Sequence, residues 1–173
     1  MVRYKNNITG IIVIPNPILR QKSKNLKKSE IGKKEFLELI KDMTYLMDKY
    51  NGIGLSAVQV GVLKNLFIIK KDLESKEIDI KNYLNEIEVY INPKILEYSV
   101  EVQEGWEGCL SIPNIECLVQ RSQKIKVKYL DLEGKTVEKE INGFRAVVFQ
   151  HEYDHTQGIL ILDRAKEIRE VGD

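Results

Sequence analysis

Histidine and cysteine, two residue types that bind divalent metals, each occur only twice in this chain. Both histidines fall in one stretch, Gln150-His151-Glu152-Tyr153-Asp154-His155. Positions four apart on a helix advance by about 400°, so the imidazoles of His151 and His155 project from one face, about 40° apart. Two imidazoles placed that way can grip one ion. Glu152 completes an H-E-x-x-H pattern, in which the carboxylate works on a metal-bound water instead of binding the metal. The pattern predicts metal-assisted hydrolysis. Phe144, Val147, His151 and His155 succeed one another at three- and four-residue steps, so the histidines extend an apolar stripe. A buried histidine pair without a partner is costly, and a metal removes that cost.

A third ligand is needed, and neither His nor Cys follows His155. It is expected from upstream, where Cys109 and Cys117 are the candidates. Cys109 lies in Glu107-Gly108-Cys109-Leu110-Ser111, where Gly108 allows close backbone approach and Pro113 soon ends any regular element. Cys117 lies in Ile115-Glu116-Cys117-Leu118-Val119, which reads as strand and suits a buried, inert thiol. Cys109 is therefore the expected third ligand. Three protein ligands and an open fourth position mark a catalytic site. A mixed thiolate and imidazole set suits Fe²⁺, Zn²⁺, Ni²⁺ or Co²⁺. Two rivals fit less well: a zinc endopeptidase normally takes its third ligand downstream, and a structural site closed by Cys117 leaves Glu152 without a role.

Three segments, Gly52-Ile53-Gly54-Leu55-Ser56-Ala57-Val58-Gln59, Glu107-Gly108-Cys109-Leu110-Ser111 and Gln150-His151-Glu152-Tyr153-Asp154-His155, resemble the three motifs of peptide deformylases in order and spacing. The resemblance runs from about Ile14 to about Arg164. It implies removal of the formyl group from N-terminal formyl-methionine of nascent polypeptides, by Glu152-assisted attack of a metal-bound water. It implies Fe²⁺ as the working metal, with Zn²⁺, Ni²⁺ or Co²⁺ as substitutes. It further implies that the Gln59 side-chain amide and the Leu110 backbone N–H stabilise charge on the carbonyl oxygen. Substrate contacts are expected at the backbone of Ile53 and Gly54, at Gly108, and at Val147, with Ile53, Val147 and either Trp106 or Tyr153 walling an apolar methionine pocket. Trp106 is otherwise read as a cap on the core. Two residues depart from the family pattern. Ser56 replaces the usual alanine and puts a hydroxyl beside the peptide-binding backbone, and Gln120 stands where a proline commonly precedes the arginine. Asp154 is expected to pair with Arg121 in an exposed ion pair of little energetic weight.

The elements that must position these residues are legible from pattern. Residues 36, 40, 43, 47 and 50 (Phe, Ile, Met, Met, Tyr) step by four and three, which predicts an amphipathic helix capped by Ser29 and ended at Asn51-Gly52. Gly52-Ile53-Gly54-Leu55-Ser56-Ala57 meets the G-x-G-x-x-A form of a dinucleotide fingerprint, yet a helix precedes it and Gly61 soon follows, which excludes that reading. The glycines instead offer bare backbone to which a peptide can add as a strand. Residues 66–69 and 89–91 read as strands, and 70–88 as a surface excursion. Ile125, Val127 and Tyr129 answer Thr136, Val137 and Ile141 across Glu133-Gly134 in a hairpin. Asn142-Gly143 opens the metal helix and Gly158 closes it, residues 159–162 form a last strand, and 164–173 a polar tail.

The whole, residues 1–173, is expected to be one α+β domain: mostly antiparallel strands around a central metal-binding helix, with one N-terminal amphipathic helix. Lys plus Arg total 27 against 26 Asp plus Glu, a formal charge of +1, which argues against a nucleic-acid partner. The absence of a long apolar run argues against a membrane span, and Met1-Val2-Arg3-Tyr4-Lys5-Asn6 lacks the hydrophobic core of a signal peptide. A cytoplasmic protein with reduced thiols is the expectation. Pattern leaves the oligomeric state open.

Overall fold

Antiparallel pairing organises the molecule. The computed structural model describes residues 8 and 10–172, so the signal-peptide expectation for 1–6 lies outside the described residues. Strands β1 (Gly54–Ser56), β2 (Leu66–Lys70), β3 (Ile87–Tyr98), β4 (Val102–Cys109), β5 (Ile112–Ser122), β6 (Lys124–Leu130), β7 (Thr136–Asn142) and β8 (Ala165–Glu170) are joined by helices α1 (Lys34–Lys49), α2 (Tyr83–Glu86) and α3 (Gly143–Thr156). The strands form two sheets, in the orders β1-β2-β3-β6-β7 and β4-β5-β8. Every pairing between these strands is antiparallel. The architecture is α+β, as the pattern predicts.

All five residues of β2 are buried because both faces of its sheet are covered. Leu66 and Ile68 pack with Phe36, Ile40, Met43 and Met47 of α1. Phe67 and Ile69 point the other way, to Ala146 and Phe149 of α3. There the rings of Phe67, Tyr90 and Phe149 meet tilted or edge to face, with centroids 5.0–5.1 Å apart. Such contacts contribute about 0.5–1.5 kcal/mol per pair beyond area burial. On its far side α3 meets β5, and a third cluster joins Cys109, Ile112, Cys117 and Val119 to Leu160 and Ile161, which follow the helix. The metal helix is thus held between the two sheets.

Four local expectations change. Helix α1 starts at Lys34, and Ser29 lies instead in a 3-10 turn, Lys28–Glu30, where Lys27 N donates to Glu30 Oε2 at 2.7 Å. Tyr50 is exposed at the helix end and stands outside the buried stripe. Residues 159–162 are not a strand. Leu160 N donates to Asp163 Oδ2 at 2.8 Å, which stabilises a 3-10 turn, Ile161–Asp163. The polar tail from Arg164 includes β8, an edge strand on β5, where pairing needs backbone and cross-strand partners and no apolar run. Arg169 meets Glu116 on β5 at 2.5 Å. The β6–β7 hairpin forms as expected, with Ile125 opposite Ile141 and Tyr129 opposite Val137, while Val127 faces Lys139 and Thr136 faces Leu130. Gly158 ends α3 at φ 76°, a left-handed conformation that favours glycine. Among the described residues no helix is long and apolar enough to cross a membrane.

Candidate metal centre

Helix α3 brings His151 and His155 onto one face, with Nε2 atoms 3.3 Å apart. The end of β4 carries Cys109 to the same point, with Sγ 3.3 Å from His155 Nε2. The donor atoms of these three residues all lie within 4.8 Å of one another. A tetrahedral ion with bonds of about 2.0–2.3 Å separates its ligand atoms by about 3.3–3.6 Å, so the cluster fits one divalent ion. Cys117 is fully buried and outside the donor cluster, and burial pushes its thiol up.

Glu107 orients the site. Successive inward positions on a strand are two apart, so Glu107 shares the buried face of β4 with Cys109. His151 Nδ1 lies 2.9 Å from Glu107 Oε2, which leaves Nε2 with its lone pair toward the cluster. Arg121 grips Glu107 with two bonds, Nε to Oε1 at 2.8 Å and Nη2 to Oε2 at 2.9 Å. Its Nη1 donates to Asp154 Oδ2 at 2.5 Å, and Arg164 donates to both Asp154 oxygens at 2.6 and 2.7 Å. The Asp154–Arg121 pair is therefore buried and networked, not exposed, because α3 packs against β5 at this point. Burial alone would raise the Glu107 carboxyl, but bonds from Arg121 and His151 bring it down to about 2. Burial is the main cause that holds His155 well below its usual range, as a neutral ligand must be. Glu107 and Arg164 escape sequence reasoning, although the two-residue strand spacing could have flagged the first.

Glu152 of α3 lines the same cavity as Cys109 and His151 and is not one of the clustered donors. Burial is the main cause that raises its carboxyl, to about 7, near the optimum for a general base at neutral pH. Ser56 does not face the peptide-binding backbone as expected. Its buried hydroxyl is 2.8 Å from Glu152 Oε2. Gln59 accepts from Ser56 N at 2.9 Å and donates to Ser111 Oγ at 3.1 Å, which aims its amide nitrogen toward Cys109, with Sγ 3.8 Å away. Ser111 is a further residue that the sequence did not flag.

A cavity of about 680 Å³ opens over these groups, a volume that suits a short peptide segment. Ile53, Gly54, Gln59, Gly108, Cys109, Leu110, Val147, His151 and Glu152 all line it, and of the predicted site residues only the buried His155 does not. Phe144 is 55% exposed and lines the same cavity, so the stripe through Val147 and His151 faces the cavity and not the core. Trp106, 37% exposed, also lines it instead of capping the core, with the Arg169 guanidinium 4.0 Å from its ring centroid. Tyr153 instead packs on the aromatic cluster behind α3, and Gln120 borders a smaller pocket beside Arg121.

The chain matches the polypeptide deformylase family over residues 8–171. It belongs to that family. The peptide deformylase of Leptospira biflexa is 40% identical over 169 residues, covering 95% of this chain and 92% of the relative. That of Thermotoga maritima is 40% identical over 154 residues, covering 89% and 85%. The crystal structure of the Thermotoga maritima peptide deformylase superposes with a TM-score of 0.78 at 38% identity, covering 91% of this chain and 97% of that one. A class I type b peptide deformylase from Acinetobacter baumannii, solved with Met-Ala-Ser bound, gives 0.79 at 33% identity, covering 89% and 96%. Peptide deformylases are hydrolases that remove the formyl group from peptide N-termini, and this chain is an enzyme of that kind.

Proposed function

We propose that this deformylase removes the formyl group from the N-terminal formyl-methionine of nascent polypeptides, with residues 1–173 acting as one catalytic domain in the cytoplasm. The carrying observation is the convergence of Cys109, His151 and His155, with Glu152 in the same cavity but outside the donor set. Cys109, His151 and His155 hold one divalent ion, Fe²⁺ in the cell, with Zn²⁺, Ni²⁺ or Co²⁺ as substitutes. Such an ion supplies Lewis acidity that lowers the pKa of a water toward neutrality. Glu152 accepts the proton of the attacking water and later gives it to the leaving amine. Gln59 Nε2 and the Leu110 N–H donate to the formyl oxygen as charge builds there.

Strand β1 lies at the edge of its sheet, so a peptide can pair with the backbone at Ile53 and Gly54. Backbone pairing is indifferent to side chains, which suits a catalyst that accepts many sequences after the first residue. Gly108 leaves room for the peptide on the opposite wall, while Ile53, Val147 and Phe144 receive the methionine side chain. The Acinetobacter baumannii relative holds Met-Ala-Ser, the peptide that deformylation of formyl-Met-Ala-Ser leaves. The test is anaerobic purification with Fe²⁺ and assay of formate release from formyl-Met-Ala-Ser. Release that disappears in Glu152→Ala with metal retained, and in Cys109→Ser with metal lost, is the expected result. Full metal occupancy without formate release from the parent protein would sink the reading.

A further inference from the structure

We propose that Ser56 is a positioning residue for Glu152, holding one carboxylate oxygen so that the other is presented to the reacting groups. The inference rests on the reading of Glu152 as general base. Ser56 Oγ lies 2.8 Å from Glu152 Oε2 and 2.8 Å from the Glu152 backbone carbonyl oxygen. Gly54, two residues earlier on the same face of β1, meets the other side of the carboxyl group. A Cβ at Gly54 would stand 2.7 Å from Glu152 Oε1 and 2.8 Å from its Cγ, so the glutamate rests directly against the glycine backbone. Leu55 between them turns into the core with α1. Strand β1 thus grips the carboxyl group at two points, by hydrogen bond at Oε2 and by contact at Oε1. Among the described residues Oε2 has a side-chain donor and Oε1 has none.

A hydroxyl suits this place because its hydrogen can go to Oε2 whether the carboxyl group is ionised or protonated on the other oxygen. When Glu152 is ionised, Ser56 donates to Oε2. Once the other oxygen holds the proton taken from water, Oε2 is the carbonyl oxygen of the neutral acid and still accepts from Ser56. One contact therefore keeps the carboxyl group in place through both halves of the proton transfer. Alanine, the residue usual in the family at this position, offers neither bond, so this restraint is a property of this chain. Ser56 does not line the cavity, and its influence on bound peptide passes through Glu152.

The test is Ser56→Ala, which removes one buried oxygen and leaves the β1 backbone unaltered. With formyl-Met-Ala-Ser and equal metal content, kcat is expected to fall about tenfold, less than the hundredfold that a fully displaced group costs. KM is expected to stay within about twofold, because ground-state binding does not involve Ser56. A second measurement uses metal-free protein and the infrared carboxyl band that vanishes in Glu152→Gln. That band is expected to shift in Ser56→Ala. An unchanged kcat, a parallel change in kcat and KM, or an unshifted band overturns the proposal. A parent protein that releases no formate overturns the general-base reading, and the infrared comparison then still decides whether Ser56 holds Glu152.

Discussion

Replacing Glu107 by glutamine keeps the size of the side chain and removes the charge that Arg121 and His151 share. Burial would push this carboxyl up, yet its partners hold it at about 2 against the ordinary glutamate value of 4.5. At about 1.4 kcal/mol per pH unit, that difference corresponds to about 3 kcal/mol of stability at neutral pH. The figure agrees with the roughly 3–5 kcal/mol lost when one partner of a buried ion pair is removed. Because the folded-state value is depressed, the unfolded chain binds the proton first as pH falls. The contribution is therefore complete above 4.5 and disappears as pH drops toward about 2. Urea unfolding of metal-free parent and Glu107→Gln protein should show a gap of about 3 kcal/mol near pH 7 that narrows steadily below about pH 4.5. Metal affinity should fall about 10- to 100-fold as His151 loses its fixed orientation. A gap under about 1 kcal/mol at neutral pH, or one that does not narrow on acidification, would refute the reasoning.

In the proposed mechanism Gln59 donates to the developing charge, so in Gln59→Ala kcat for formate release should fall about a hundredfold with little change in KM. Gly54→Ala places a methyl 2.7 Å from Glu152 Oε1. It should cut kcat about a hundredfold, visible in single-turnover assays, while metal content is unchanged. Phe149→Ala opens the aromatic cluster between α3 and the larger sheet, and should cost about 3–5 kcal/mol in urea unfolding. Arg164→Ala should cost no more than about 1 kcal/mol in the same assay, since that side chain is 43% exposed.

The H-E-x-x-H pattern is legible in sequence because it is local. His151, Glu152 and His155 are fixed relative to one another by helical period alone, and the strand hairpin and the α1 stripe follow from periods just as short. The three motif segments also carry the family. What they lack is any statement of which side chains face each other across the fold. That Glu107 braces His151, that Ser56 meets Glu152, and that Asp154 is buried between two arginines depend on where α3 lies between the sheets. The same holds for β8, whose charged residues become a strand only because β5 offers it an edge. Short-range periodicity is written residue by residue, whereas these contacts join positions from 10 to 96 residues apart and exist only once the core has closed.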